Sequence, residues 1–477
     1  MNITAPTDAL RLFAFHLAGE MLSEEQAGDL FLTTEETENT FVAHVEFGNT
    51  HLTDSAEKAI HRTARRTENV ACGKVLYRLF RALSDASLPY GTLVGVRPVK
   101  IALFYLSRGA DAESVRRILT DEYLMQEKHA KLLVDLAVLE QASERALCKT
   151  DAMLYLSIPF CPSRCRYCSF VSHSAPSQLS LIPDYLLRMK EELLETAALF
   201  HETGKTLRAV YLGGGTPGLL TANQLTELFT DIKREFPLAD KVEYTAELGR
   251  PDTITREKCE ALADLGIGRI CINPQTLSDF VLAENSRHHT AEDFYRAYAI
   301  AKDAKIPTVN TDLIAGLSGD TPTVFSQTVA SILALAPENL TIHALCKKRA
   351  SSEENMPEND SEHLWFDAMQ NAQENCINAG YHPNYLYRQK NTIANLENLG
   401  FAKNGQDCLY NIAMMEDLCD VFAVGAGAMT KLKKTTEDGY QMIRLPAYKY
   451  PAEFLSDPEK GRKNRQDAKK LCTENYV

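Results

Sequence analysis

Residues 154–168 read Leu-Tyr-Leu-Ser-Ile-Pro-Phe-Cys-Pro-Ser-Arg-Cys-Arg-Tyr-Cys. An apolar run, Leu154 to Phe160, breaks into a loop that carries Cys161, Cys165 and Cys168. The run predicts a buried strand, and the loop predicts a metal centre. Cysteine thiolate is the preferred ligand of iron–sulfur clusters, and three thiolates can hold three irons of a cubic [4Fe–4S] cluster. No fourth cysteine follows close behind, so the fourth iron of such a cluster is expected to stay open. Zinc is the competing reading. It wants four protein ligands in a closed site, commonly as two C-x2-C knuckles. No second pair follows here, although His173 is near enough in sequence to complete a set.

Working outward from this loop, the chain alternates strands and helices. A helix with Tyr185, Met189, Leu193, Ala197 and Phe200 on one face precedes a strand, Leu207 to Leu212, that ends in Gly213-Gly214-Gly215-Thr216-Pro217. Further strands are expected at Val242 to Glu247, Arg269 to Asn273, Thr308 to Ile314 and Leu340 to Leu345, with helices between them. Counted from Leu154, these make six βα units. Such alternation implies a parallel sheet with chemistry at the C-terminal strand ends. The fold class is α/β, a partial (β/α)6 barrel with an N-terminal α+β extension and a C-terminal α/β domain.

Three segments follow: 1–150 as the extension, 151–352 as the partial barrel and 353–477 as a C-terminal domain. In the extension, Phe41 to Phe47 alternates like a half-buried strand, and the spacing of apolar residues predicts a mainly helical stretch from Asp54 to Ser84 and another from Glu113 to Cys148. The polar stretch Glu353 to Asp360 is a natural boundary, and the charged tail from Asp457 is expected to fray.

At 477 residues the chain exceeds what one hydrophobic core usually serves. A net charge of −13 argues against a general nucleic-acid binder. Nine further cysteines are scattered through core-like segments rather than paired as a disulfide framework. The N-terminus lacks an export-signal layout and no run is long enough to span a membrane, so a cytoplasmic protein is expected.

The cysteine spacing C-x3-C-x2-C after a strand resembles the signature of radical S-adenosylmethionine (SAM) enzymes. The longer string Tyr155-x-Ser-Ile-Pro-Phe-Cys-Pro-x-x-Cys-x-Tyr-Cys-Ser-Phe resembles the oxygen-independent coproporphyrinogen III oxidase group within them. The resemblance implies that Cys161, Cys165 and Cys168 hold a [4Fe–4S] cluster whose open iron is chelated by SAM, and that reduction cleaves SAM to a 5′-deoxyadenosyl radical. It places SAM against Tyr155, Tyr167, Gly214, Gly215, Thr216, Glu247, Gln275, Arg287 and Asp312. It also implies a low-potential electron donor such as flavodoxin or ferredoxin, and a tetrapyrrole substrate. The reaction it implies converts two propionates of coproporphyrinogen III to vinyls, with loss of CO2, giving protoporphyrinogen IX.

The C-terminal third separates branches of the group. The haem-chaperone branch carries a histidine-asparagine-x-x-tyrosine-tryptophan segment where this chain reads Cys408-Leu409-Tyr410-Asn411-Ile412-Ala413-Met414-Met415, without histidine or tryptophan. Tyr387 to Asn391 and Asn395 to Asn398 resemble instead a branch named coproporphyrinogen dehydrogenase, which also carries a segment like Gly95-Val96-Arg97-Pro98. Arg250, Arg388 and Lys390 are candidates for the substrate carboxylates. Two rival functions remain: a haem-handing protein without chemistry, and a SAM-dependent enzyme acting on another tetrapyrrole.

Overall fold

A computed structural model describes the chain apart from residues 38, 59–63, 85–86, 96, 169–175, 347–361, 390–391, 437–438 and 475–477. Its contacts divide it into two compact units, Met1–Gln141 and Ala142–Val477. The first has its own sheet, ordered β1 (Asn2–Thr4), β2 (Leu30–Glu36), β3 (Thr40–Phe47) and β4 (Thr50–Glu57). Leu17 from helix Asp8–Met21 and Val75 and Phe80 from helix Ala64–Ser84 close a core with Leu30 and Phe41. The stretch expected to be helical from Asp54 therefore begins as the end of β4. Thr53, Ser55 and Glu57 pair with β3, and alternate exposure along β4 marks an edge strand, which a reading based on apolar spacing alone passes over.

The second unit is built on one open sheet of eleven strands. Its centre is the expected parallel set: β5 (Asp151–Ile158), β6 (Thr206–Gly214), β7 (Leu238–Gly249), β8 (Arg269–Ile272), β9 (Thr308–Ala315) and β10 (Asn339–Ala344). Every residue of β5 except Tyr155 is buried. That is the mark of a parallel strand covered on both faces. The intervening helices start where the sequence supplies caps. Thr221 and Gln224 make a capping box at Ala222–Glu235, as do Thr290 and Asp293 at Ala291–Asp303.

The C-terminal residues extend this same sheet. β11 (His382–Arg388) and β12 (Glu397–Ala402) add antiparallel strands beside β10. At the opposite side β13 (Asp420–Val424) runs parallel to β5, followed by the antiparallel β14 (Met429–Thr436) and β15 (Gly439–Pro446). The boundary expected at Glu353 to Asp360 lies outside the described residues. The tail expected to fray is instead helix Glu459–Glu474, whose Arg465 pairs with the buried Glu192 and whose Ala468 and Cys472 are buried.

Helix Leu409–Glu416 touches both β6 and β11. Its first two amides, Leu409 N and Tyr410 N, donate to the Glu243 carboxylate of β7 at 3.0 and 2.9 Å. A carboxylate at a helix start satisfies amides that have no partner within the helix. Glu243 also pairs with the buried Arg269 at 3.0 Å. Thus β7 and β8 jointly hold the helix.

Candidate active site

The cluster loop leaves β5 at Ile158, which lies level with Gly214 of β6. Gly215 N donates to Ile158 O at 2.8 Å and Thr216 N to Phe160 O at 2.7 Å. A side chain at Gly215 would stand 2.6 Å from Phe160 O and 2.9 Å from Cys161 Sγ, and Gly214 has φ +113°. The glycines thus let the end of β6 close directly under the cysteine loop, where a Cβ has no room. The far side of the loop is pinned by Arg166 N and Nη1, which donate to Asn285 O and Glu284 O at 3.1 Å each.

Cys161 and Cys165 are buried and Cys168 is half-buried. All three line one open pocket of about 590 Å³, counting its mouth, together with Gly214, Gly215, Thr216, Glu247, Gln275, Arg287 and Tyr167. Seven of the nine expected SAM contacts, carried at or after the ends of β5, β6, β7 and β8, therefore meet the same space as the three cysteines. Tyr155 and Asp312 do not line this pocket, but Asp312 connects to it through Gln275, whose amide donates to Asp312 O at 2.9 Å. Gln275 takes a left-handed backbone, φ +70°, which is uncommon outside glycine. That turn, after Asn273-Pro274, returns the chain to pair beside Leu313. His173 and Lys390 lie outside the described residues.

Two carboxylates face this interior in opposite protonation states. Burial, followed by the charge of Asp312, pushes Glu247 up to about 8, although Tyr211 Oη donates to it at 3.1 Å. Burial alone would raise Asp312 as well. Its contacts with His343, Asn310 and Thr341 outweigh that and hold it below its ordinary value. Asn310 Nδ2 donates to Asp312 Oδ1 at 2.8 Å, and His343 Nε2 stands 3.7 Å from Oδ2. The surroundings thus drive the two carboxyls apart, Glu247 toward its neutral form and Asp312 toward its charged one.

Several interior residues, Tyr211, Tyr385 and His343 among them, were not among the contacts expected from the sequence. Tyr155, Tyr211 and Tyr410 form a near-parallel aromatic group, with centroid separations of 6.2, 4.6 and 6.3 Å. Tyr387 of β11 reaches His343 Nδ1 at 3.2 Å, and Tyr385 reaches Thr341 Oγ1 at 3.1 Å. Arg250, a candidate for substrate carboxylates, is otherwise engaged. It is buried, with bonds of 2.8 and 2.7 Å to Asp252 and 2.6 Å to Ser163 Oγ, and so ties the cysteine loop to the end of β7.

A parallel sheet with a three-cysteine loop after its first strand, and a glycine turn closing beneath it, defines the class of radical SAM proteins. Residues 155–332 match the Radical SAM superfamily. The oxygen-independent coproporphyrinogen-III oxidase-like protein HemZ of Bacillus subtilis is 32% identical over 391 residues, covering 79% of this chain and 76% of that protein. The chain belongs to the radical SAM superfamily, among the oxygen-independent coproporphyrinogen-III oxidase-like proteins. The heme chaperone HemW of Haemophilus influenzae is 28% identical over 310 residues, covering 63% and 75% of the two chains. The fold is that of the Escherichia coli coproporphyrinogen III oxidase HemN, a radical SAM enzyme (TM-score 0.53, 19% identity, 70% of this chain and 78% of that one).

The family implies a [4Fe–4S] cluster and SAM, and the pocket's residues fit both. Three thiols share one loop above a glycine turn that only backbone can occupy. In the same pocket the buried Asn273 Oδ1 and Gln275 Oε1 have no hydrogen-bond partner, two acceptors suited to the amino and hydroxyl donors of SAM. Among the described residues no three His, Cys, Asp or Glu side chains are grouped to hold a single ion. A cubane asks for a different arrangement, one thiolate at each of three separate irons.

Proposed function

We propose that the chain is an oxygen-independent coproporphyrinogen III oxidase or dehydrogenase, converting two propionates of coproporphyrinogen III to vinyls. Cys161, Cys165 and Cys168 hold the cluster and leave its fourth iron to SAM. Tyr155, Tyr167, Gly214, Gly215, Thr216, Glu247, Gln275, Arg287 and Asp312 hold SAM itself. When bound, the cluster and SAM supply an electron and a hydrogen-abstracting carbon radical, which acid and base side chains cannot provide.

The protein's part is to bind, orient and exclude water. Asp312, already ionised, accepts hydroxyl donors, while Glu247 gives up its proton to meet the positive charge of SAM. Tyr155, Tyr211 and Tyr410 present an aromatic wall to the substrate. Arg388, at the end of β11, remains the candidate for a substrate carboxylate, and residues from 353 onward form the part of the sheet that covers the tetrapyrrole. A low-potential donor of the flavodoxin or ferredoxin kind delivers the electron in the cytoplasm. No helix among the described residues is long and apolar enough to cross a membrane.

One observation carries this reading over haem handing. The segment Cys408 to Met415, where the chaperone branch places its histidine, is here a helix capped by Glu243 whose Tyr410 stacks on Tyr211. The test is an anaerobic assay of reconstituted protein with coproporphyrinogen III, SAM and a reductant. CO2 and protoporphyrinogen IX are the expected products, formed together with 5′-deoxyadenosine. Stoichiometric haem binding without porphyrin-coupled deoxyadenosine would favour the haem-handing reading, which the HemW similarity supports. A linear tetrapyrrole without CO2 would move the chemistry to another substrate.

A further inference from the structure

Arg287 is buried, with 6% of its surface exposed, on the turn between helices Asp279–Glu284 and Ala291–Asp303. Its Nη1 donates to Tyr167 Oη at 2.9 Å and to Cys165 Sγ at 3.8 Å, and Nη2 donates to Asn273 O. Nε has no partner. Among the described residues no carboxylate pairs with this guanidinium. A cation taken out of water is costly unless an anion compensates it. A phenol, a carbonyl and a neutral thiol offer none. Of these three partners, the one that a bound metal would make anionic is the sulfur of Cys165.

A second donor approaches another of the cysteines from a different element. Thr216 Oγ1 lies 3.3 Å from Cys161 Sγ, and both residues are buried. The donor comes from the end of β6, whereas Arg287 comes from the turn after β8. Two of the three cysteines thus receive a side-chain donor from separate elements, one of the donors charged.

We propose that Arg287 and Thr216 set the reduction potential of the cluster through Cys165 and Cys161. This rests on the reading that these cysteines hold the cluster. Net charge and hydrogen bonds to sulfur are among the determinants of such potentials. The added electron makes the cluster and its thiolates more negative. A cation and a donor at the sulfurs therefore stabilise the reduced form more than the oxidised one. The potential rises, and the electron donor has less to supply. Arg287 acts here as a positioning and tuning residue, in addition to any contact with the SAM carboxylate.

The test uses full-length protein reconstituted anaerobically, with iron and sulfide assayed, and potentiometric titration followed by EPR in the absence of SAM. Arg287→Met, Arg287→Lys and Thr216→Val are compared with wild type at matched iron content. Each is expected to titrate at a more negative midpoint, Arg287→Met furthest and Arg287→Lys less far because it keeps the charge. Loaded Arg287→Met and Thr216→Val that both titrate at the wild-type midpoint overturn the proposal, even if calorimetry shows weakened SAM binding. Should Arg287→Met fail to take up iron, the other two variants decide by the same criterion. Wild-type protein that takes up no iron would remove the cluster reading itself, a result distinct from unchanged midpoints.

Discussion

Glu247 illustrates how one side chain is retuned by its surroundings. Its neutral form is favoured in the fold, with a value near 8 set by burial and by Asp312. A carboxyl raised in this way contributes stability that is full below its unfolded value and lost as pH rises through about 8. Glu247→Gln should therefore match wild type in acid but unfold at higher denaturant than wild type above pH 8, in urea titrations of the SAM-free protein. SAM brings positive charge, so binding at neutral pH should release about one proton more from wild type than from the variant. Calorimetry in buffers of differing ionisation enthalpy reads that number directly. An equal release from both proteins would take Glu247 out of the SAM site. The sequence placed this glutamate at a strand end. It could not show that burial, and then Asp312, 65 positions on, would raise it.

At the scale of elements, β11 and β12 show why the C-terminal third was hard to read. Gly400 of β12 lies under the ring of Tyr385, and a Cβ there would stand 2.3 Å from a ring carbon. The absent side chain lets Tyr385 cross β12 to reach Thr341 on β10. Gly400→Ala should destabilise by about 1–3 kcal/mol through overpacking. Tyr385→Leu on that background should restore part of the loss, measured by chemical denaturation. No recovery in the double variant would mean that the glycine serves another purpose. A lone glycine in a strand reads as a bulge or a close approach, but only the pairing register shows which residue comes close.

For the whole molecule, two separately packed cores have a consequence for unfolding. Phe80 is fully buried in the first core. Phe80→Ala should lower the stability of Met1–Gln141 by about 3–5 kcal/mol. In calorimetry it should move one of two transitions and leave iron content and SAM affinity at wild-type levels. A single transition that shifts as a whole would show that the units unfold together. The sheet of the second unit also exceeds what the alternation of strands and helices announced, because antiparallel and parallel strands from residues beyond 380 extend it on both sides.

The sequence alone determined the class of chemistry and the six-strand centre. Cysteine spacing, the glycine turn and βα alternation are local patterns, each written within a few dozen residues and each dictated by backbone geometry or ligand type. Tertiary structure alone decided what surrounds that chemistry. It spent Arg250 on Asp252 and Ser163, brought Tyr410 against Tyr211 from about two hundred residues away, and left Arg287 facing Cys165 with no carboxylate partner among the described residues. Burial and charge compensation depend on which distant side chains share a low-dielectric space, and that is settled only when the strands and helices have packed together.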